Sequence, residues 1–102
     1  MPRLTEAARG VFVIAPTPFT DAGALDLEST DRMTDAYLAA GAAGLTILGI
    51  MGEAPKLDAA EALAFTARVL RRVDGRVPVV VGVSAPGFAS MRALARGAME
   101  AG

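Results

Sequence analysis

The sequence contains neither cysteine nor histidine. Without cysteine no disulfide can form, and without thiolate or imidazole the usual zinc-ligand sets are unavailable. The same two absences remove every Ser–His and Cys–His nucleophile pair. Clustered positive charge is lacking as well. The formal net charge is −1, the arginines are scattered with only Arg71 and Arg72 adjacent, and Lys56 is the single lysine. Binding a phosphate backbone requires grouped Lys and Arg, so nucleic acid is not an expected partner. No apolar run approaches the ~18 residues of a membrane helix, and Val11–Ala15 is too short for the core of a signal peptide. A cytoplasmic protein without a membrane partner is the expectation.

What the sequence does contain is a dense supply of apolar residues. In 102 residues, 53% are hydrophobic and 21% charged, a composition that folds into one compact domain rather than remaining disordered. Val11-Phe12-Val13-Ile14-Ala15 reads as a strand buried on both faces, stopped by Pro16-Thr17-Pro18 because proline cannot continue a ladder. Asp26 offers a helix N-cap, Met33, Tyr37 and Ala40 recur at helical spacing, and Gly41 supplies a left-handed stop. Leu45–Leu48 is a second apolar strand. Asp58 and Glu61 are spaced as a capping box ahead of Ala62, Phe65, Thr66, Val69 and Val73, and Asp74-Gly75 ends that helix. Val79–Val83 is a third strand, β-branched and without polar alternation. Ser84-Ala85-Pro86-Gly87 turns the chain into a last helix from about Ser90 to Glu100.

The order β-α-β-α-β-α with uninterrupted Val, Ile and Leu in the strands predicts an α/β fold with parallel strands. Each unit takes roughly 30 residues. Ligands of such folds meet the C-terminal ends of the strands, which directs attention to Pro16–Phe19, Gly49–Glu53 and Ser84–Gly87. The middle segment, Gly49-Ile50-Met51-Gly52-Glu53, suits an anion: its glycines permit close approach, and successive N–H groups can cradle a carboxylate or phosphate. Two glycines that merely turn the chain are the plainer alternative. Glu53 is read as structural, pinning the loop by accepting from backbone amides. Lys56, between Pro55 and Leu57, is read as a solvent-facing lysine rather than an imine-forming amine, which would need a desolvated pocket. Tyr37 reads as core packing. Ser84 lacks a histidine to activate it, and Pro86 breaks the nucleophile-elbow pattern around it.

Taken in order, these segments resemble the N-terminal third of the dihydrodipicolinate synthase / N-acetylneuraminate lyase family. The residues that carry the likeness are Thr17-Pro18-Phe19, Asp21-Ala22-Gly23, Ala40-Gly41, Gly49-x-x-Gly52-Glu53 followed by Glu61, and Val77-Pro78-Val79-Val80-Val81-Gly82-Val83. The resemblance implies that residues 1–102 are the first three βα units of a (β/α)8 TIM barrel, truncated before strand 4. It further implies a homo-oligomer, usually a tetramer, when full-length, and a Schiff base between a lysine of the sixth strand and pyruvate or another 2-oxo acid. A tyrosine of the fifth strand would handle protons, with no metal or organic cofactor. The family binds the pyruvate carboxylate at the loop corresponding to Gly49, Ile50, Met51 and Gly52, and Thr17 is a further substrate-binding candidate. Catalytic Lys and Tyr are then expected beyond Gly102, and the piece by itself is expected to be inactive.

Two departures stand out. Ile50 and Met51 occupy positions where the family usually carries Ser or Thr, and Phe88 replaces a small hydroxyl residue. The missing hydroxyl points to a divergent aldolase, lyase or dehydratase rather than the lysine-pathway synthase. A stand-alone α/β module that binds a small anion or a protein partner, and half of a nucleotide-binding sheet, are the competing readings. The second lacks the glycine-rich phosphate turn after its first strand.

Overall fold

A computed structural model describes residues 3–102. It contains three strands, β1 (Phe12–Ile14), β2 (Gly44–Ile47) and β3 (Val79–Val81), and three α-helices, α1 (Leu27–Ala39), α2 (Ala59–Val73) and α3 (Phe88–Ala101), with a short 3-10 turn at Ala54–Lys56. The strands pair in parallel in the order β1-β2-β3. Val13 lies opposite Leu45 and Leu45 opposite Val79, so the pleat puts Val13, Leu45, Ile47, Val79 and Val81 on one face. Consecutive right-handed crossovers send every helix to the same side of such a sheet. One core results, in which Leu45 and Ile47 meet Ala62, Phe65, Val69 and Val73 of α2, with Met33 and Tyr37 of α1 and Leu94 of α3 packed around them. Phe65 is fully buried, and a side chain of that size contributes roughly 1.5–3 kcal/mol by leaving water.

The opposite face, carrying Phe12, Ile14, Thr46 and Val80, has no second layer among the described residues. Ile14 is therefore 55% exposed, which corrects the expectation that the first strand is buried on both faces. Its apolar run reports the surroundings of both faces in a closed sheet, and here only one of them is covered. On this open face the Phe12 ring lies across Gly44, where an added Cβ would stand 2.3 Å from a ring carbon.

The helix ends follow their local signals. Asp26 caps α1 by accepting from the Ser29 N–H at 2.9 Å, and that donation holds its carboxyl below the usual aspartate range. Asp58 and Glu61 form the capping box at the start of α2, each carboxylate accepting the other residue's N–H. That helix closes on Asp74 in the left-handed region, φ +51. The inner stripe of α1 differs from the apolar spacing. Its two fully buried residues are Thr30 and Thr34, whose hydroxyls donate to Asp26 O and Thr30 O one turn back and so enter the core without an unpaired group. Ala40 lies outside that stripe, exposed at the C-cap. The last helix begins at Phe88 rather than Ser90, capped by Gly87 with no side-chain bond, which leaves no capping residue to mark it in the sequence.

Candidate functional site

At the C-terminal edge of the sheet the chain leaves β2 through a strained residue. Leu48 is buried and has φ +58, a conformation that costs a residue with a Cβ about 1–2 kcal/mol. Glu53, at the far end of the loop, has φ +55. Between these two left-handed residues lie Gly49, Ile50, Met51 and Gly52, held by two consecutive turns: the Gly52 N–H donates to Gly49 O at 3.1 Å and the Glu53 N–H to Ile50 O at 3.0 Å.

Each of those turns engages a carbonyl and fixes the peptide plane it belongs to. The N–H on the same plane points the opposite way. The planes are those of the Gly49–Ile50 and Ile50–Met51 peptides, so the amides turned outward are those of Ile50 and Met51. Among the described residues neither amide has an acceptor. The side chains of the same two residues are on the surface, Ile50 95% and Met51 62% exposed. What the loop offers is thus a pair of unengaged backbone donors flanked by apolar side chains, with no hydroxyl.

The glycines serve different purposes. A Cβ on Gly52 would lie 2.9 Å from the Leu48 nitrogen, so the closed turn excludes one, whereas a Cβ on Gly49 would meet nothing within 4 Å. A third glycine, immediately after β3, belongs to this site as well. An added Cβ on Gly82 would stand 2.2 Å from the Leu48 carbonyl oxygen, and the Gly82 N–H donates to Ile47 O. Gly82 therefore lets β3 approach the strained corner. A lone glycine inside the run Val79–Val83 is the signal that marks such close backbone approach in a sequence; the left-handed Leu48 leaves no signal at all.

Thr17 is 4% exposed, and its hydroxyl donates to Gly52 O at 2.6 Å. It touches the loop from behind. Glu53 differs from its expected part: its carboxylate accepts from Lys56 Nζ and from no backbone amide, so its hold on the loop lies in its left-handed backbone. Lys56 is exposed, and Tyr37 packs at the edge of the core. A cavity of about 500 Å3 opens beside the loop, lined by Leu48, Leu57, Gly82, Ser84, Pro86 and Leu94 among others. None of Gly49, Ile50, Met51 or Gly52 lines it. Those four residues are brought together on the open rim rather than around an enclosed space. Among the described residues no three carboxylates converge on a point where a metal ion could be held.

The model of the dihydrodipicolinate synthetase family matches residues 7–102. The L-2-keto-3-deoxyarabonate dehydratase of Azospirillum brasilense is 41% identical over 80 residues, covering 78% of this chain and 26% of the dehydratase. The crystal structure of dihydrodipicolinate synthase from Rhodopseudomonas palustris superposes with a TM-score of 0.92 at 58% identity, over 98% of this chain and 33% of that one. A prophage protein of the dihydrodipicolinic acid synthase family from E. coli K12, solved in complex with pyruvate, gives a TM-score of 0.83 at 35% identity, over 90% of this chain and 32% of that one. The chain spans about a third of the length of the relatives it matches. Its three parallel strands and three helices correspond to the N-terminal part of their TIM barrel.

Proposed function

The chain belongs to the dihydrodipicolinate synthetase family, and from that premise we propose that it carries the carboxylate-binding segment of a pyruvate-dependent, Schiff-base-forming lyase. The observation that carries this reading is the pair of unengaged amides at Ile50 and Met51, set by two turns at the end of a central parallel strand. A family structure bound to pyruvate supports the ligand class, a small 2-oxo acid. Two N–H groups aimed together at one anion form charge-assisted bonds about twice as strong as neutral ones, and they need no reorganisation because the turn already holds them.

In this reading the loop fixes the carboxylate so that the neighbouring 2-oxo carbon is presented to an amine. The amine adds to that carbon, the carbonyl oxygen leaves as water, and the resulting iminium acidifies the adjacent carbon. The proton of that carbon passes to a base supplied by another part of the barrel as the bond electrons form the enamine. Residues 1–102 supply the anchoring and not the amine: Lys56 is solvent-exposed and paired with Glu53, outside the desolvated pocket that an imine-forming amine needs. The imine-forming lysine and its tyrosine are assigned to other parts of a barrel. Because Ile50 and Met51 bring no hydroxyl, the proton relay of a synthase has no member in this loop, which favours aldolase or dehydratase chemistry. The full-length assembly is proposed to be a homo-oligomer working in the cytoplasm without metal or organic cofactor. The uncovered sheet face with Ile14 favours one second reading, a non-catalytic module that associates through that face.

Titrating the 15N-labelled chain with pyruvate tests the assignment. The Ile50 and Met51 amide resonances should move saturably, and methyl pyruvate, which lacks the carboxylate, should not move them. Borohydride added with pyruvate should leave Lys56 unmodified. Shifts confined to other residues, or a reduced adduct on Lys56, would overturn it.

A further inference from the structure

We propose that Thr17 is the positioning residue of this carboxylate loop: its buried hydroxyl latches the Gly52 carbonyl and thereby sets the direction in which the Ile50 and Met51 amides point. The inference rests on the function proposed above for that loop and adds a residue 35 positions from Gly52 that acts through its hydrogen bond to the loop.

The argument begins with the two prolines. The last described main-chain bond between β1 and the β2 strand runs from the Ala15 N–H to Thr46 O. Beyond it, Pro16 and Pro18 have no N–H to donate. Proline also restricts the residue before it to extended backbone, so Thr17, between the two, has little freedom in where its side chain points. The Pro18 carbonyl is in turn held by the Asp26 N–H at 3.0 Å. The hydroxyl thus supplies the cross-connection that the main chain cannot, at 2.6 Å and almost out of reach of water.

The target of that bond matters more than its strength. Gly52 O and the Glu53 N–H lie on one peptide plane. Thr17 fixes the first, and Ile50 O fixes the second, so the plane is clamped at both ends. Release of the Thr17 end leaves a buried carbonyl unsatisfied and lets this plane rotate. The Glu53–Ile50 bond then loosens, and with it the Ile50–Met51 plane that carries the Met51 amide. Gly52 itself, lacking a Cβ, offers no resistance to such a rotation.

Thr17→Val keeps the shape and removes the hydroxyl; Thr17→Ser keeps the hydroxyl and removes a methyl. Hydrogen exchange of the Gly52 and Glu53 amides reads the latch without any ligand. Thr17→Val should speed both at least tenfold relative to amides elsewhere in the chain, and Thr17→Ser should stay close to wild type. Equal acceleration by both variants, or by neither, overturns the latch. Pyruvate titration of the same samples separates the two ideas. Wild type and Thr17→Ser should shift at Ile50 and Met51 with Thr17→Val weakened several-fold, whereas a wild type with no shift defeats the ligand assignment and leaves the exchange result to decide the latch. If Thr17→Val does not fold, the wild-type Thr17 hydroxyl proton takes its place: a resolved, slowly exchanging resonance supports the latch, and exchange too fast to resolve overturns it.

Discussion

Single residues at the loop carry opposite requirements despite sharing one chemistry. Gly82 is a steric necessity, because the Leu48 carbonyl oxygen occupies the space of its absent side chain, and Gly49 has open space around it. Gly82→Ala should lower stability by about 2–3 kcal/mol, the cost of overpacking a site that cannot give way. Gly49→Ala should change it by less than about 0.5 kcal/mol while weakening the loop's response to pyruvate, since the methyl group would stand beside the Ile50 amide. Urea midpoints of the two variants check the contrast, and equal midpoints would refute it. The sequence pointed to Gly49 and Gly52 together as the flexible pair. It could not separate them, because whether a glycine is required depends on which backbone lies opposite it: the loop closes Gly52 onto the Leu48 main chain and leaves Gly49 facing open space. Thr17 shows the same limit. Its candidacy was visible at the end of the first strand, but the side on which it touches the loop follows from the β1–β2 register.

At the level of elements, α1 and α2 run alongside each other and are tied by a repeated pair. Arg68 grips Asp31 through Nε and Nη2 at 2.9 and 2.7 Å, and one turn along both helices Arg72 grips Asp35 in the same bidentate fashion. Each guanidinium, by hydrogen bonding first and charge second, holds its aspartate below the ordinary carboxylate range. A native pKa below the unfolded one means that the unfolded chain binds more protons as the solution is acidified. The stabilisation is therefore present in full above the unfolded aspartate value of about 3.9 and disappears as pH falls through the lower native value. The stability difference between wild type and the Asp31→Asn, Asp35→Asn double variant should stay constant from neutrality to about pH 5 and shrink below that, as followed by thermal unfolding across pH. A difference independent of pH down to the acid transition would refute the pairing. The helices themselves were legible: the capping box of Asp58 and Glu61 and the stop at Asp74 are local signals with local outcomes. Thr30 and Thr34 were not, since a threonine reads as polar until its hydroxyl finds the carbonyl one turn back.

For the molecule as a whole, the decisive feature is that a sheet built to be covered twice is covered once. Phe12, Ile14 and Val80 lie on the face without helices, and the outer edges of β1 and β3 have no partner among the described residues. Exposed edges and apolar faces of this kind drive association. The 102-residue chain in isolation should sediment as a concentration-dependent mixture, and Ile14→Lys, at a position already 55% exposed, should shift it toward monomer with little change in unfolding midpoint. A single monomeric species over the whole concentration range would show that the face is tolerated by water. By itself the sequence determined the parallel α/β order, the helix caps, the turn of the glycine pair and the absence of thiol and imidazole chemistry, because each depends on residues within a few positions of one another. Only the tertiary structure decided which face of the first strand is bare, that Gly82 makes room for a left-handed Leu48, and that Thr17 holds the loop from behind. Those outcomes depend on backbones far apart in sequence coming within about 3 Å, and no spacing along one chain encodes which backbone that will be.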